Sequence, residues 1–242
     1  MVRPLAGRLT FALAVATALA AAPAAAQPES CRLALALALD VSSSVDSREY
    51  ALQSRGLAAA LDSTAVRDAI LNGAPGRVAL AAFEWSGRRQ QVVVVDWTIL
   101  RSNQDIDRVI ATLAGAERSY AEFPTALGYA LGYGAILLTR APPCDRRVLD
   151  VSGDGENNDG FAPLLAFKHF PFAGITVNGL AIEVDGDSPE NYYWRHVVRG
   201  PGAFVERAEG FAGFERAMQR KLLREINDLQ IGMPGPHGAG PG

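Results

Sequence analysis

The stretch RLALALAL, Arg32 to Leu39, runs directly into Asp40-Val41-Ser42-Ser43-Ser44. Alternation of Leu and Ala has the period of a β-strand, with large side chains on one face and small ones on the other. Both faces are apolar. Such a strand is buried on both sides, as in a parallel sheet covered by helices above and below. It stops at Asp40, and the polar run behind it marks a loop at the carboxyl end of the strand.

The flanking sequence supplies the units that such a sheet needs. Asp46-Ser47-Arg48-Glu49 is a capping-box pattern, which predicts a helix from Ser47 to about Leu61. Arg77–Phe83 (RVALAAF) is a second buried strand and Gln91–Asp96 (QVVVVD) a third. Ser86-Gly87 between them predicts a hairpin, which makes the third strand an antiparallel edge. Helices are predicted over Gln104–Leu113 and, behind Pro124, over Thr125–Leu138. Gly128, Gly132 and Gly134 lower the propensity of the latter but allow close packing on the sheet. Arg147–Val151 is a fourth strand, followed by the loop Ser152–Gly160 (SGDGENNDG). A short helix Pro163–His169, a strand Ile175–Ile182, a helix Asn191–Val198, a short strand Ala203–Val205 and an amphipathic helix Phe211–Leu229 complete the chain. Alternation of this kind predicts an α/β fold: a doubly wound, mostly parallel six-stranded sheet with helices on both faces. Such sheets bind ligands beyond the carboxyl ends of their strands, where strand order reverses.

Residues 1–26 have the pattern of a secretory signal peptide: Arg3 and Arg8, an apolar run Leu9–Ala20, then Ala24-Ala25-Ala26. That run is too short and alanine-rich for a transmembrane helix. Residues 27–231 are expected to form one domain, and the Gly/Pro-rich residues 232–242 a disordered tail. Loss of Arg3 and Arg8 takes the 23 basic residues to 21 against 26 acidic ones, a net charge of −5. That balance leaves no electrostatic footprint for nucleic acid. The expected product is periplasmic or secreted, with no membrane insertion after signal removal.

Chemistry is concentrated at the strand ends. The first strand ends in D-x-S-x-S, the fourth leads to Asp154-Gly155, and Thr125 opens the helix between them. Asp40, Ser42, Ser44, Thr125 and Asp154 therefore can converge at one switch point. All five offer oxygen, which suits Mg²⁺, and also Mn²⁺ or Ca²⁺, and disfavours copper or zinc. Two carboxylates and three hydroxyls under-fill a divalent site, so waters and one outside ligand would complete it.

This set resembles the metal-ion-dependent adhesion site of the von Willebrand factor A family, which includes integrin inserted domains. The resemblance covers roughly residues 32–230. It implies the strand order 3-2-1-4-5-6, direct ion contacts from Ser42, Ser44 and Thr125, and contacts through water from Asp40 and Asp154. The stretch RVLDVSGDGENN (Arg147–Asn158), Ile175–Leu180 and Arg220–Ile226 look more specifically like an uncharacterised exported bacterial group within that superfamily. Two departures stand out. Asp150 places a charge inside a central strand, which needs a partner, and Ser152-Gly153 precede Asp154 where typical members run an apolar strand into Thr-Asp-Gly.

The implied strand order makes the first and fourth strands parallel neighbours. Cys31 and Cys144 then share the amino edge, opposite the metal site. Neighbouring strands lie about 4.8 Å apart, within disulfide range, and a Cys31–Cys144 bond is expected in an oxidising compartment.

Other readings compete with these. The serines after Asp40 can simply cap the next helix. The Asp154 loop fails as an EF-hand, with Asp159 where Gly is needed and Leu165 where Glu is needed. Asp185-Gly186-Asp187 reads as a turn, and His169 and His196 as structural or surface residues. Trp85, Tyr192, Tyr193 and Trp194 are open between core and rim. The favoured function is a non-enzymatic binding module whose ion accepts an acidic side chain from a protein partner. The alternatives are a metal-dependent hydrolase with Asp40 as nucleophile, or a subunit of an envelope assembly with a structural metal. Position 42 is Ser where such hydrolases place a second Asp, and no P-loop pattern occurs.

Overall fold

A computed structural model describes residues 30–227 apart from Asp185 and Asp187. The expected leader, tail and end of the last helix lie outside the described residues, as do both aspartates of the expected Asp185–Asp187 turn. The elements in chain order are β1 (Cys31–Asp40), α1 (Ser47–Asp62), α2 (Thr64–Asn72), β2 (Arg77–Trp85), β3 (Gln91–Leu100), α3 (Asn103–Ala114), α4 (Leu127–Thr139), β4 (Arg146–Gly153), α5 (Pro163–His169), β5 (Ile175–Ile182), α6 (Glu190–His196), β6 (Val205–Ala208) and α7 (Phe214–Ile226). The sheet order is β3-β2-β1-β4-β5-β6, with β3 antiparallel to β2 and the other named pairs parallel.

The two faces of β1 explain the two helical layers. Leu33, Leu35, Leu37 and Leu39 pack with α1, α2, α3 and α7, whereas Ala34, Ala36 and Ala38 pack with residues of α4, α5 and α6. Each fully buried leucine contributes about 1.5–3 kcal/mol. The alanine face lets α4 approach closely, and a Cβ on Gly134 would stand 2.6 Å from Leu149 Cδ1. At the amino edge Cys31 and Cys144 form a disulfide, with Cα atoms 4.4 Å apart. Arg32 beside it donates to the carbonyls of Ala69 and Ile70 in α2 and of Ile226 in α7. A cation there satisfies helix C-terminal carbonyls and suits the helix dipole.

One helix adds to the expected elements and two local expectations are corrected. A separate helix α2 occupies the stretch after α1; Ser63 caps it, and Val66, Ala69 and Ile70 supply its buried side. The last strand is Val205–Ala208 rather than Ala203–Val205, because Gly200 and Gly202 turn with positive φ and carry Ala203 into the approach to the sheet. Thr125 stands two residues before α4 instead of opening it, since its N–H and carbonyl bond to the Asn158-Asp159 loop.

The partner of Asp150 is Lys221 of α7, at 2.9 Å. Lys221 also lies 2.7 Å from Glu225 Oε1, which accepts a bond from Asn178 Nδ2 on β5. Asp150, Lys221 and Glu225 are all buried. Two carboxylates face one ammonium, and burial pushes Asp150 up to about 7 against the pull of Lys221, with Glu225 adding to the rise.

Candidate metal centre

The polar run after β1 does not cap α1. Asp46 does that, accepting from the N–H groups of Arg48 and Glu49 while Glu49 bonds back to the Asp46 N–H. Ser42 and Ser44 are left free to face across the carboxyl edge of the sheet. Their loop is held from three sides. Val41 N–H donates to the Trp85 carbonyl and Ser43 N–H to that of Phe123. Gln53 Nε2 donates to the Asp40 carbonyl, and the Arg118 guanidinium donates to the carbonyls of Val41 and Ser42 at 3.0 and 2.8 Å.

The structure brings all five sequence-predicted side chains together. Thr125 Oγ1 donates to Ser42 Oγ at 3.2 Å, Ser42 Oγ and Ser44 Oγ are 3.2 Å apart, and Ser44 Oγ donates to Asp154 Oδ1 at 2.9 Å. Asp40 Oδ1 accepts from the Ser42 N–H at 2.8 Å. Asp40, Ser42 and Thr125 are buried, whereas Ser44 is exposed and Asp154 partly so. The cluster is therefore a pit with an open mouth.

Its electrostatics call for a cation. Asp40 Oδ2 is buried without a hydrogen-bond partner. Burial, and then the charge of Asp154, push Asp40 up to about 8, and Asp154 is itself raised by burial. Two carboxylates converge on three hydroxyls, and a divalent ion would supply the charge that offsets their desolvation. The donor set fits a hard ion. Among the described residues no group of three or more His, Cys, Asp or Glu side chains gathers that could hold a metal ion, so the candidate site depends on its hydroxyls as well as its carboxylates.

Residues not singled out by the sequence complete the frame. Asn158 Oδ1 accepts from Thr125 N–H at 2.9 Å, and Asn157 Oδ1 accepts from Gly128 N–H at 3.0 Å. The two asparagines thus cap α4, whose own N-cap residue offers no side-chain bond. Read in sequence they were part of a solvated turn, and only the fold brings them to α4. Trp85 and Tyr193 are core residues, Tyr192 is half-buried and Trp194 exposed. His169 and His196 are exposed, on α5 and α6, and neither has a hydrogen bond to any of the five side chains among the described residues. Beside the mouth lies a groove of about 280 Å³ lined by Gly87, Arg88, Arg89, Phe123, Pro124 and Asp159, where Arg88 pairs with Asp159 at 2.7 Å.

Residues 30–230 match the family described as Protein of unknown function (DUF1194). The chain belongs to this family. No curated protein matches it. Among solved structures, it is similar to proximal thread matrix protein 1 of the mussel byssus (TM-score 0.58, 13% identity, 81% of this chain and 47% of that one). A second structure of the mussel protein, with a zinc-occupied MIDAS motif, aligns at TM-score 0.54 and 14% identity over 83% of this chain and 50% of that one. A von Willebrand factor type A protein of Catenulispora acidiphila aligns at TM-score 0.57 and 14% identity, over 81% of this chain and 43% of that one. The pilus adhesin SpaC of Lactobacillus rhamnosus GG aligns at TM-score 0.57 and 13% identity, over 84% and 31%. The chain spans about half the length of the mussel protein. These likenesses establish the fold, which is von Willebrand factor A-like.

Proposed function

We propose that this family member is an exported binding module in which Asp40, Ser42, Ser44, Thr125 and Asp154 hold a divalent cation that accepts an acidic side chain from a protein partner. The observation that carries this reading is the convergence of the five oxygen-bearing side chains around an unpartnered, buried Asp40 carboxylate oxygen. Mg²⁺ is the first choice, with Mn²⁺ and Ca²⁺ as alternatives. Zn²⁺ belongs in the titration because the mussel protein holds zinc in its MIDAS motif. Bound there, the ion would act as a Lewis acid toward a carboxylate. The hydroxyl-heavy donor set leaves it appreciable positive charge, which favours an acidic ligand over a neutral one.

The neighbouring groove supports recognition of a protein surface. Arg89 is exposed on its wall and offers a second cation to an acidic partner. A hydrolase with Asp40 as nucleophile is disfavoured by position, since Asp40 is fully buried and its Oδ1 is held by Ser42 N–H. A purely structural ion is disfavoured by the exposure of Ser44 at the mouth. A periplasmic or secreted location is supported by the disulfide. Among the described residues no helix is long and apolar enough to cross a membrane.

The test is capture of partners from the native cell envelope with and without EDTA, followed by replacement of the partner's acidic residues one at a time. Binding lost both in EDTA and on replacement of one Asp or Glu is expected. A complex that survives EDTA and every such replacement would rule the ion out of recognition.

A further inference from the structure

Tyr193 of α6 lies under the carboxyl edge in a slot that two glycines clear. A Cβ on Gly179 would stand 2.6 Å from the ring's Cδ1, and a Cβ on Gly153 would stand 2.7 Å from the hydroxyl. The same Gly153 position is 2.8 Å from Asp40 Oδ2. The phenol and the carboxylate therefore flank one point that the missing side chain keeps open. Both groups are fully buried, and neither the Tyr193 hydroxyl nor Asp40 Oδ2 has a hydrogen-bond partner. A buried donor and a buried acceptor are each costly to leave unmatched. Phenylalanine would fill the slot without the donor's share of that cost.

We propose that Tyr193 is a positioning residue of the metal centre: its hydroxyl donates to Asp40 Oδ2, directly or through one water, and so sets the direction in which that side chain faces the site. This rests on the reading of the five oxygens as a divalent-cation site. It also gives a physical reason for Gly153 immediately before Asp154, since a side chain at that position would fill the space between phenol and carboxylate. A donor behind a ligating carboxylate fixes its orientation, which strengthens ion binding without adding a ligand.

The experiment is calorimetric titration of Mg²⁺ into the whole domain and into Y193F, Y192F and G153A, with the tyrosine absorbance difference spectrum recorded on ion addition. Y193F should bind about ten-fold more weakly at unchanged stoichiometry, with an ion-free melting temperature no lower than that of the parent. The Mg²⁺-induced tyrosine signal should persist in Y192F and vanish in Y193F. G153A, whose methyl group would crowd both atoms, should weaken binding as well. Parental affinity in Y193F, or a tyrosine signal that survives that change, would overturn the role of Tyr193 while leaving the metal centre standing. Absence of Mg²⁺ binding by the parent protein would overturn both.

Discussion

Replacing Lys221 with Met removes the ammonium that stands 2.9 Å from Asp150 and 2.7 Å from Glu225. The three side chains are at most 2% exposed, so water cannot take its place. Removing one partner of a buried ion pair costs about 3–5 kcal/mol because the other charge is stranded. Here Asp150 is stranded and Glu225 keeps only the bond from Asn178, which puts the expected loss at the upper end. The loss should depend on pH. Burial pushes Asp150 up to about 7, and a carboxyl raised above its unfolded value of about 3.9 contributes stability that is fully present below about pH 4 and lost as pH rises through about 7. Without Lys221 the buried Asp150 carboxyl is relieved only by protonation, so K221M should lose less at about pH 5 than at about pH 8. D150N leaves Lys221 and Glu225 as a one-to-one pair. It should cost less than K221M at about pH 8 and flatten the decline between about pH 4 and pH 7. Urea unfolding of the parent, K221M and D150N at the two pH values measures all of this. K221M within about 1 kcal/mol of the parent at pH 8, or equal losses at both pH values, would refute the reasoning.

Replacing Cys31 and Cys144 by Ser should cost about 2–5 kcal/mol, because the bond closes a loop with a sequence separation of 113; thermal unfolding checks it, and Mg²⁺ affinity should be unchanged since the bond lies at the opposite edge. Thr125→Ala should weaken partner binding more than ion binding, because it removes a neutral ligand and keeps both aspartates; parallel titrations with ion and with partner compare the two. Asp40 is raised to about 8 in the ion-free protein, so ion uptake should release a proton and apparent Mg²⁺ affinity should rise with pH until about 8; calorimetry in buffers of different ionisation enthalpy reads the proton directly.

Elements with a strong local signal were legible in the sequence. The Leu/Ala alternation of β1 announced a strand with two unequal apolar faces, and the structure sets the four helices α1, α2, α3 and α7 against the leucine side and the glycine-bearing α4 against the alanine side. Ser86-Gly87 announced the hairpin, and Ile175–Ile182 matches β5 to the residue. The missed α2 is short, and its buried Val66, Ala69 and Ile70 follow closely on the end of α1. The edge strand β6 was displaced because Glu206 and Arg207 interrupt its apolar pattern. At the site, side chains that come from strand ends were readable as a set because each carries a local pattern. Arg118, Asn158 and Tyr193 were not, since each acts across a distance that only the folded sheet closes: Arg118 bonds backbone carbonyls 76 and 77 residues away. The partner of Asp150 was equally out of reach, lying on the last helix.

The central claim is that five side-chain oxygens from three separate stretches of the chain form one cation site. Its most direct measurement is calorimetric titration of Mg²⁺ into the parent domain, Asp40→Ala and Ser42→Ala, with circular dichroism to follow the fold. One ion per chain in the parent, and none in either variant with the secondary structure kept, is the predicted result. Equal Mg²⁺ affinity in all three proteins would contradict it.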